Sequence, residues 1–149
     1  MRIIDLHCYP GTQPWIDCQG PYVEALAEYW DRHWTAKEED EVIEEFTGAG
    51  VDAVLVALDL EATIKTPPCS NDYVAGMWKR HPECVIQAWG AVDPLKGEAA
   101  ITEARHAITD LGMLGFHFHP IMGHFSVDDR DLYPLWEVIN ELGVAVMID

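Results

Sequence analysis

With 149 residues, 49% of them apolar, the chain is long enough for one domain with a real core and too apolar for a disordered protein. Nine basic against 26 acidic side chains leave a net charge of −17, which repels phosphate backbones and anionic lipid; neither nucleic acid nor membrane is an expected partner. Cys8, Cys18, Cys69 and Cys84 make no CxxC pair and are expected to be reduced thiols of a cytoplasmic protein.

The first predicted strand covers residues 2–6. One Arg and a short apolar run are not a secretory leader, so none is expected. No stretch reaches the roughly 20 apolar residues of a membrane helix. After the first strand comes "YPGTQPWIDCQGPY", rich in Pro, Gly and aromatics, read as a loop, and then a helical stretch over 22–34. The run "KEEDEVIEEFTGAG" has Val42, Ile43 and Phe46 on one face and stops at glycines, which predicts a helix with its acidic residues, Glu38 to Glu45, in solvent. A second strand is predicted over 51–59. "SNDYVAGMWKRHP" follows, a helix with a cap-type start that ends before Pro82. Strands over 85–93, 113–120 and 144–149 alternate with helices in "GEAAITEARHAITDLG" and "DDRDLYPLWEVINELG", where Pro134 falls early enough to be tolerated.

Strand, helix, strand at roughly 30-residue spacing is the βα repeat of a parallel sheet with helices outside. No Gly-rich phosphate loop follows the first strand, which counts against a dinucleotide-type open sheet. The expected fold is therefore α/β of the TIM-barrel type, incomplete, with about five of eight strands. Residues 1–149 are expected to form the N-terminal part of one such barrel, with an inserted loop and helix at about 8–36. A full barrel needs about 250 residues, so one sheet edge is expected to stay open, and association through that edge or a homo-oligomer follows.

In such barrels the chemistry stands at the C-terminal strand ends. Those positions hold His7 and Tyr9, Asp59, Asp93, His117 and His119, and Asp149. Asp5 and His7, like His117 and His119, are two apart and share a face, which turns Phe116 and Phe118 to the helices. Two histidines and a carboxylate converging there suit Zn²⁺ or Mn²⁺, with zinc the first choice. Plainer roles stand beside these: a lone strand-end His7 satisfied by hydrogen bonds, a His117 bonded inside the barrel, Asp59 and Asp93 capping turns. Cys8 alternates away from His7, as a core thiol. Trp15, Tyr22, Trp30 and Trp34 are candidates to line a pocket or to pack the insertion, and His124 lies in the rim loop after the fourth strand.

"IIDLHCYPGT" resembles the D-x-H-x-H first strand of the amidohydrolase superfamily. "GAVDPLKGEAAITEARHAITDLGMLGFHFHP" with "DDRDLYPLWEVINELGVAVMID" resembles the amidohydrolase-related branch, which includes aminocarboxymuconate-semialdehyde decarboxylase and related hydrolases and hydratases. The resemblance implies a divalent metal held by two first-strand histidines, a fifth-strand histidine and a late aspartate. Here His7 matches the first, Tyr9 replaces the second and Asp149 takes the place of the third. His117 stands where the branch commonly has Lys. The form "DLHCYPGT…CQGPYVEALAEYW" further resembles hydrolases of 4-hydroxyphenyl-β-ketoacyl-CoA thioesters.

The expected function is thus a metal-dependent hydrolase of a small carbonyl or carboxylate substrate, aromatic β-ketoacyl compounds included. The alternatives are a metal-dependent decarboxylase of the same branch, and an inactive half-barrel that works only by association. Expected metal ligands are His7, His119 and Asp149; expected catalytic groups are His119, His117 and Asp149; expected substrate contacts are Tyr9, Trp15 and His124.

Overall fold

A computed structural model describes residues 3–149; Arg2, the expected start of the first strand, lies outside the described residues. Five strands alternate with helices: β1 (Ile3–Cys8), β2 (Val51–Val56), β3 (Val85–Trp89), β4 (Gly115–Phe118) and β5 (Ala145–Ile148). All pairings between them are parallel: β1 with β2, β2 with β3, and β4 with β5. A parallel bridge between Gly90 and Phe116 joins β3 to β4, through Gly90 N–H to Gly115 O (2.9 Å) and His117 N–H to Gly90 O (2.8 Å). Gly115 is required at this seam, since a Cβ there would lie 2.7 Å from the Trp89 ring.

The helices are α1 (Gln13–Gln19), α2 (Tyr22–Tyr29), α3 (Glu39–Ala49), α4 (Glu61–Ile64), α5 (Asn71–Arg80), α6 (Glu98–Thr109), α7 (Pro120–Gly123) and α8 (Tyr133–Leu142), with 3₁₀ turns at Pro94–Lys96 and Arg130–Leu132. Local chemistry sets their ends. A Glu38–Glu41 capping box opens α3 and Gly50, at φ 68°, closes it. Ser70 accepts the Tyr73 N–H (3.2 Å) to start α5. Ala100, Ala104 and Ala107 form a buried stripe that lets α6 sit close to the sheet. Phe116, Leu55, Met77, Val85 and Met113 are fully buried in the core. Among the described residues no helix is long and apolar enough to cross a membrane.

The strands stop earlier than the apolar runs suggested. Asp59, Asp93, His119 and Asp149 all lie just past the last paired residue. The cause is local. Asp59 accepts the Glu61 N–H (3.2 Å) and Asp93 the Leu95 N–H (3.0 Å), so each chain turns away from the ladder. Pro120 then starts α7 directly behind His119.

The sheet is strongly curved. His7 on β1 and His117 on β4 are three strands apart, which in a flat sheet means about 14 Å, yet their Nε2 atoms are 3.3 Å apart. Tyr9 and Asp149, four strands apart, meet at 3.4 Å. Such curling makes five parallel strands an incomplete barrel with its C-terminal mouth drawn together. Both edge strands expose apolar side chains: Ile3, Ile4 and Leu6 on β1, and Val146 and Ile148 on β5.

Candidate metal centre and cavity

The mouth gathers His7, Tyr9, His117, His119 and Asp149 in one place. β1 carries an extra residue between Asp5 and Cys8 relative to β2. This bulge re-aims the strand end. Asp5 Oδ1 accepts the His7 backbone N–H (3.0 Å) and does not join the ligand atoms of the cluster. Cys8 turns into the core as expected.

Ligand atoms of His7, His117 and Asp149 all lie within 4.8 Å of one another. The separations are 3.3 Å for His7 to His117, 3.8 Å for His7 to Asp149 and 3.9 Å for His117 to Asp149. A tetrahedral metal bound at about 2.0–2.1 Å sets its ligands about 3.3 Å apart, so this donor set fits one after a slight contraction.

The two β4 histidines present different edges. His117 is 1% exposed, and its Nδ1 lies 3.2 Å from Ala57 O. A carbonyl only accepts, so Nδ1 carries the proton and the Nε2 lone pair faces His7 and Asp149. Burial, reinforced by His7, pushes the His117 imidazolium down to about 4. The ring is neutral at pH 7, as a ligand must be. His119 Nδ1 instead accepts the Met122 N–H (3.4 Å), leaving its proton on Nε2, 3.8 Å from Asp149 Oδ2. Burial lowers the His119 pKa too. The expected ligand set named His119; the geometry brings His117 into the cluster and presents His119 as a donor. Tyr9 donates to Asp149, and burial followed by the Asp149 charge pushes its hydroxyl up to about 12. Its phenolate is unavailable at neutral pH.

Asp59 and Asp93 are structural. The Asp59 carboxylate takes the Lys96 ammonium (2.7 Å) and the Asp93 N–H (3.1 Å), while Asp93 accepts from Ala62 and Leu95. Asp59→Ala is expected to destabilise the chain by about 2 kcal/mol, because Lys96 loses a partly buried partner. Adding Lys96→Met should recover part of that, read from urea melts of the single and double variants; equal loss in both would discount the pair.

Above the cluster lies a cavity of about 430 Å³. Tyr9 and Trp15 stack at 4.5 Å and Trp30 and Trp34 at 5.8 Å, and all four line it. The loop after β1, read as coil, contains α1, pinned by Tyr73 Oη to Thr12 (2.8 Å) and by Thr66 to Cys18 O (2.9 Å). Tyr22, Leu26 and Trp30 recur every four residues from the start of α2 and face the cavity. Leu26 escaped the sequence reading, although that spacing marks it. His124 does not line the cavity. It holds Tyr22 Oη (3.1 Å), which also donates to Met122 O.

A family model described as amidohydrolase matches residues 16–149. The chain is 31% identical over 78 residues, 52% of its length, to 2-amino-3-carboxymuconate-6-semialdehyde decarboxylase of Dictyostelium discoideum, spanning 21% of that protein. In fold it is similar to 5-carboxyvanillate decarboxylase from Sphingomonas paucimobilis, with a TM-score of 0.74 at 19% identity over 99% of this chain and 51% of that one. It is also similar to 2,6-dihydroxybenzoate decarboxylase in complex with 2,6-dihydroxybenzoate, with a TM-score of 0.61 at 18% identity over 98% and 50%. The chain thus spans about half the length of these structures and a fifth of the curated relative. All three proteins are decarboxylases, and this overturns the hydrolase expected from the sequence in favour of the decarboxylase carried beside it.

Proposed function

Since the chain belongs to the amidohydrolase family, an enzyme superfamily whose members typically bind a divalent metal, we propose that it provides the metal-binding half of a decarboxylase for a small aromatic or planar carboxylate. One observation carries this reading: a cluster of His7, His117 and Asp149 lies beneath a cavity walled by stacked aromatic rings. His7, His117 and Asp149 would hold the metal, zinc in the first place and manganese as the alternative. Bound there, it would supply Lewis acidity toward a substrate oxygen.

The chain's own side chains support the remaining steps. Tyr9, Trp15 and Trp34 clamp a flat ring and exclude water. His119 holds a proton at Nε2 on the cavity side. In the reaction the bond from carbon to the carboxylate breaks, CO₂ leaves with the negative charge transferred to carbon, and that carbon takes a proton. His119 is the group positioned to deliver it. The cysteines offer no competing nucleophile: all four are buried, and burial pushes Cys8 and Cys18 up to about 12.

The test is turnover of 2,6-dihydroxybenzoate or 5-carboxyvanillate by the zinc- or manganese-loaded chain in D₂O. One CO₂ per product, with one deuterium at the vacated carbon, is expected. A bound substrate that releases no CO₂ at any protein concentration would sink the reading. The exposed apolar edges of β1 and β5 favour a second reading, in which turnover needs those edges covered by further βα units. Specific activity that rises with protein concentration, alongside a larger mass by light scattering, is its signature.

A further inference from the structure

Gln19 closes α1 at the wall of the cavity above the cluster. It is only 4% exposed. Its side-chain Nε2 donates to Trp15 O (3.1 Å). A carbonyl only accepts, so the amide nitrogen faces Trp15 O and Oε1 faces away from it. Oε1 has no partner among the described residues. It is also reachable, because the buried side-chain polar atoms that are both unpaired and sealed off among the described residues are three indole nitrogens. The position is held firmly. Thr66 Oγ1 donates to Cys18 O (2.9 Å), and Gly20, at φ 51°, turns the chain so closely past Thr66 that a Cβ there would lie 2.9 Å from its Cγ2.

The rest of the wall limits what can bond to Oε1. No Lys or Arg among the described residues lines this cavity, and Asp149 is its one carboxylate. Its two tyrosine hydroxyls are committed, Tyr9 to Asp149 (3.4 Å) and Tyr22 to Met122 O (3.1 Å). Beyond the cluster the lining is mostly aromatic and aliphatic, with Leu26, Leu58 and Ile121 among it. A group that reaches Gln19 therefore leaves water for apolar surroundings without a counter-charge, which disfavours a second acid. Oε1 can only accept, so that group has to donate. An unpaired buried carbonyl costs free energy that such a donor restores.

We propose that Gln19 is a specificity-determining residue, whose Oε1 accepts a hydrogen bond from a neutral donor, a hydroxyl or an aromatic amine, on a flat monocarboxylate. The carboxylate end of this ligand rests on the decarboxylase reading; the donor end rests on Gln19. The cavity then selects ring acids that bear a donor over those that bear an ether or a second acid at the same place.

The test is calorimetric binding to the whole chain with one equivalent of Zn²⁺. The probes are benzoate and its 3- and 4-hydroxy, 3- and 4-amino and 3- and 4-methoxy derivatives. At one of the two ring positions the hydroxy and amino acids are expected to bind about tenfold tighter than benzoate, the worth of one hydrogen bond, and the matching methoxy acid no tighter. In Gln19→Leu that gain should fall below about twofold while benzoate itself binds as before; a circular dichroism melt checks that the variant folds. A gain at neither position, or one that the methoxy acid shares, overturns the proposal in the unaltered chain, whatever the variant does. A gain that survives Gln19→Leu in a folded variant overturns it as well. Turnover is read separately. A chain that shows the donor preference but never releases CO₂ keeps the role of Gln19 and loses the decarboxylase, and one that releases CO₂ without the preference does the reverse.

Discussion

Replacing His117 by alanine is expected to weaken divalent-metal binding by more than about a hundredfold, whereas His119→Ala should cost less than about tenfold. The two residues sit two apart on one strand end, share a face and both approach Asp149. Their hydrogen bonds separate them, together with the 3.3 Å approach of His117 to His7. Ala57 O fixes the His117 proton on Nδ1 and frees Nε2 for a metal; the Met122 N–H occupies His119 Nδ1 and leaves a proton on its Nε2. Competition with a chromophoric chelator for Zn²⁺ measures both variants. A larger loss in His119→Ala would restore the ligand set expected from the sequence. His7→Ala serves as the reference for a lost ligand.

Metal-free chain is expected to lose stability as the pH falls from about 6.5 to about 4, and His117 is the main cause. Its folded pKa, about 4, lies below the 6.5 of a free imidazole. Between those values the unfolded chain binds the proton and the folded chain does not. The stabilisation is therefore complete above pH 6.5 and disappears on acidification through that window. A shift of this size corresponds to about 3 kcal/mol. Burial lowers His119 in the same sense, so it adds to the slope. Urea melts at pH 7, 5.5 and 4.5 compare the chain with His117→Asn, which cannot take up the proton. The variant should show a distinctly flatter dependence; parallel curves would remove His117 as the cause.

Much of the architecture was legible because β-branched runs and Gly-terminated amphipathic segments repeat at βα spacing. Val51–Val56 and Glu98–Thr109 follow that pattern closely. The helix α1 was missed because Pro14 and its flanking glycines read as coil. Pro14 in fact sits in the first turn, where its missing N–H is harmless, and Trp15, Cys18 and Gln19 form a buried i, i+3, i+4 set. α4 and α7, at four residues each, are too short to show a period. At the site, strand-end position alone identified His7, His117, His119 and Asp149 as neighbours. Which β4 histidine offers a lone pair depends on Ala57 O and the Met122 N–H. The Ala57 contact leaves no trace in local sequence, since that carbonyl arrives from 60 residues away, whereas the Met122 contact is local, three residues along at the start of α7. For Asp59 and Asp93 the sequence favours capping over chemistry, since Asp93-Pro94 is a turn signal, and their hydrogen bonds to neighbouring backbone agree with it.

The extra residue in β1 between Asp5 and Cys8 also makes this strand a phase shifter. Strand side chains alternate with a period of two, so a one-residue slip exchanges the two faces. Removing Leu6 would pair His7 with Val54 and keep Cys8 opposite Leu55, so the strand would run in plain alternation and the bulge that now aims the imidazole of His7 at His117 and Asp149 would be lost. The donor chemistry of this mouth is thus encoded in strand length as well as in residue type.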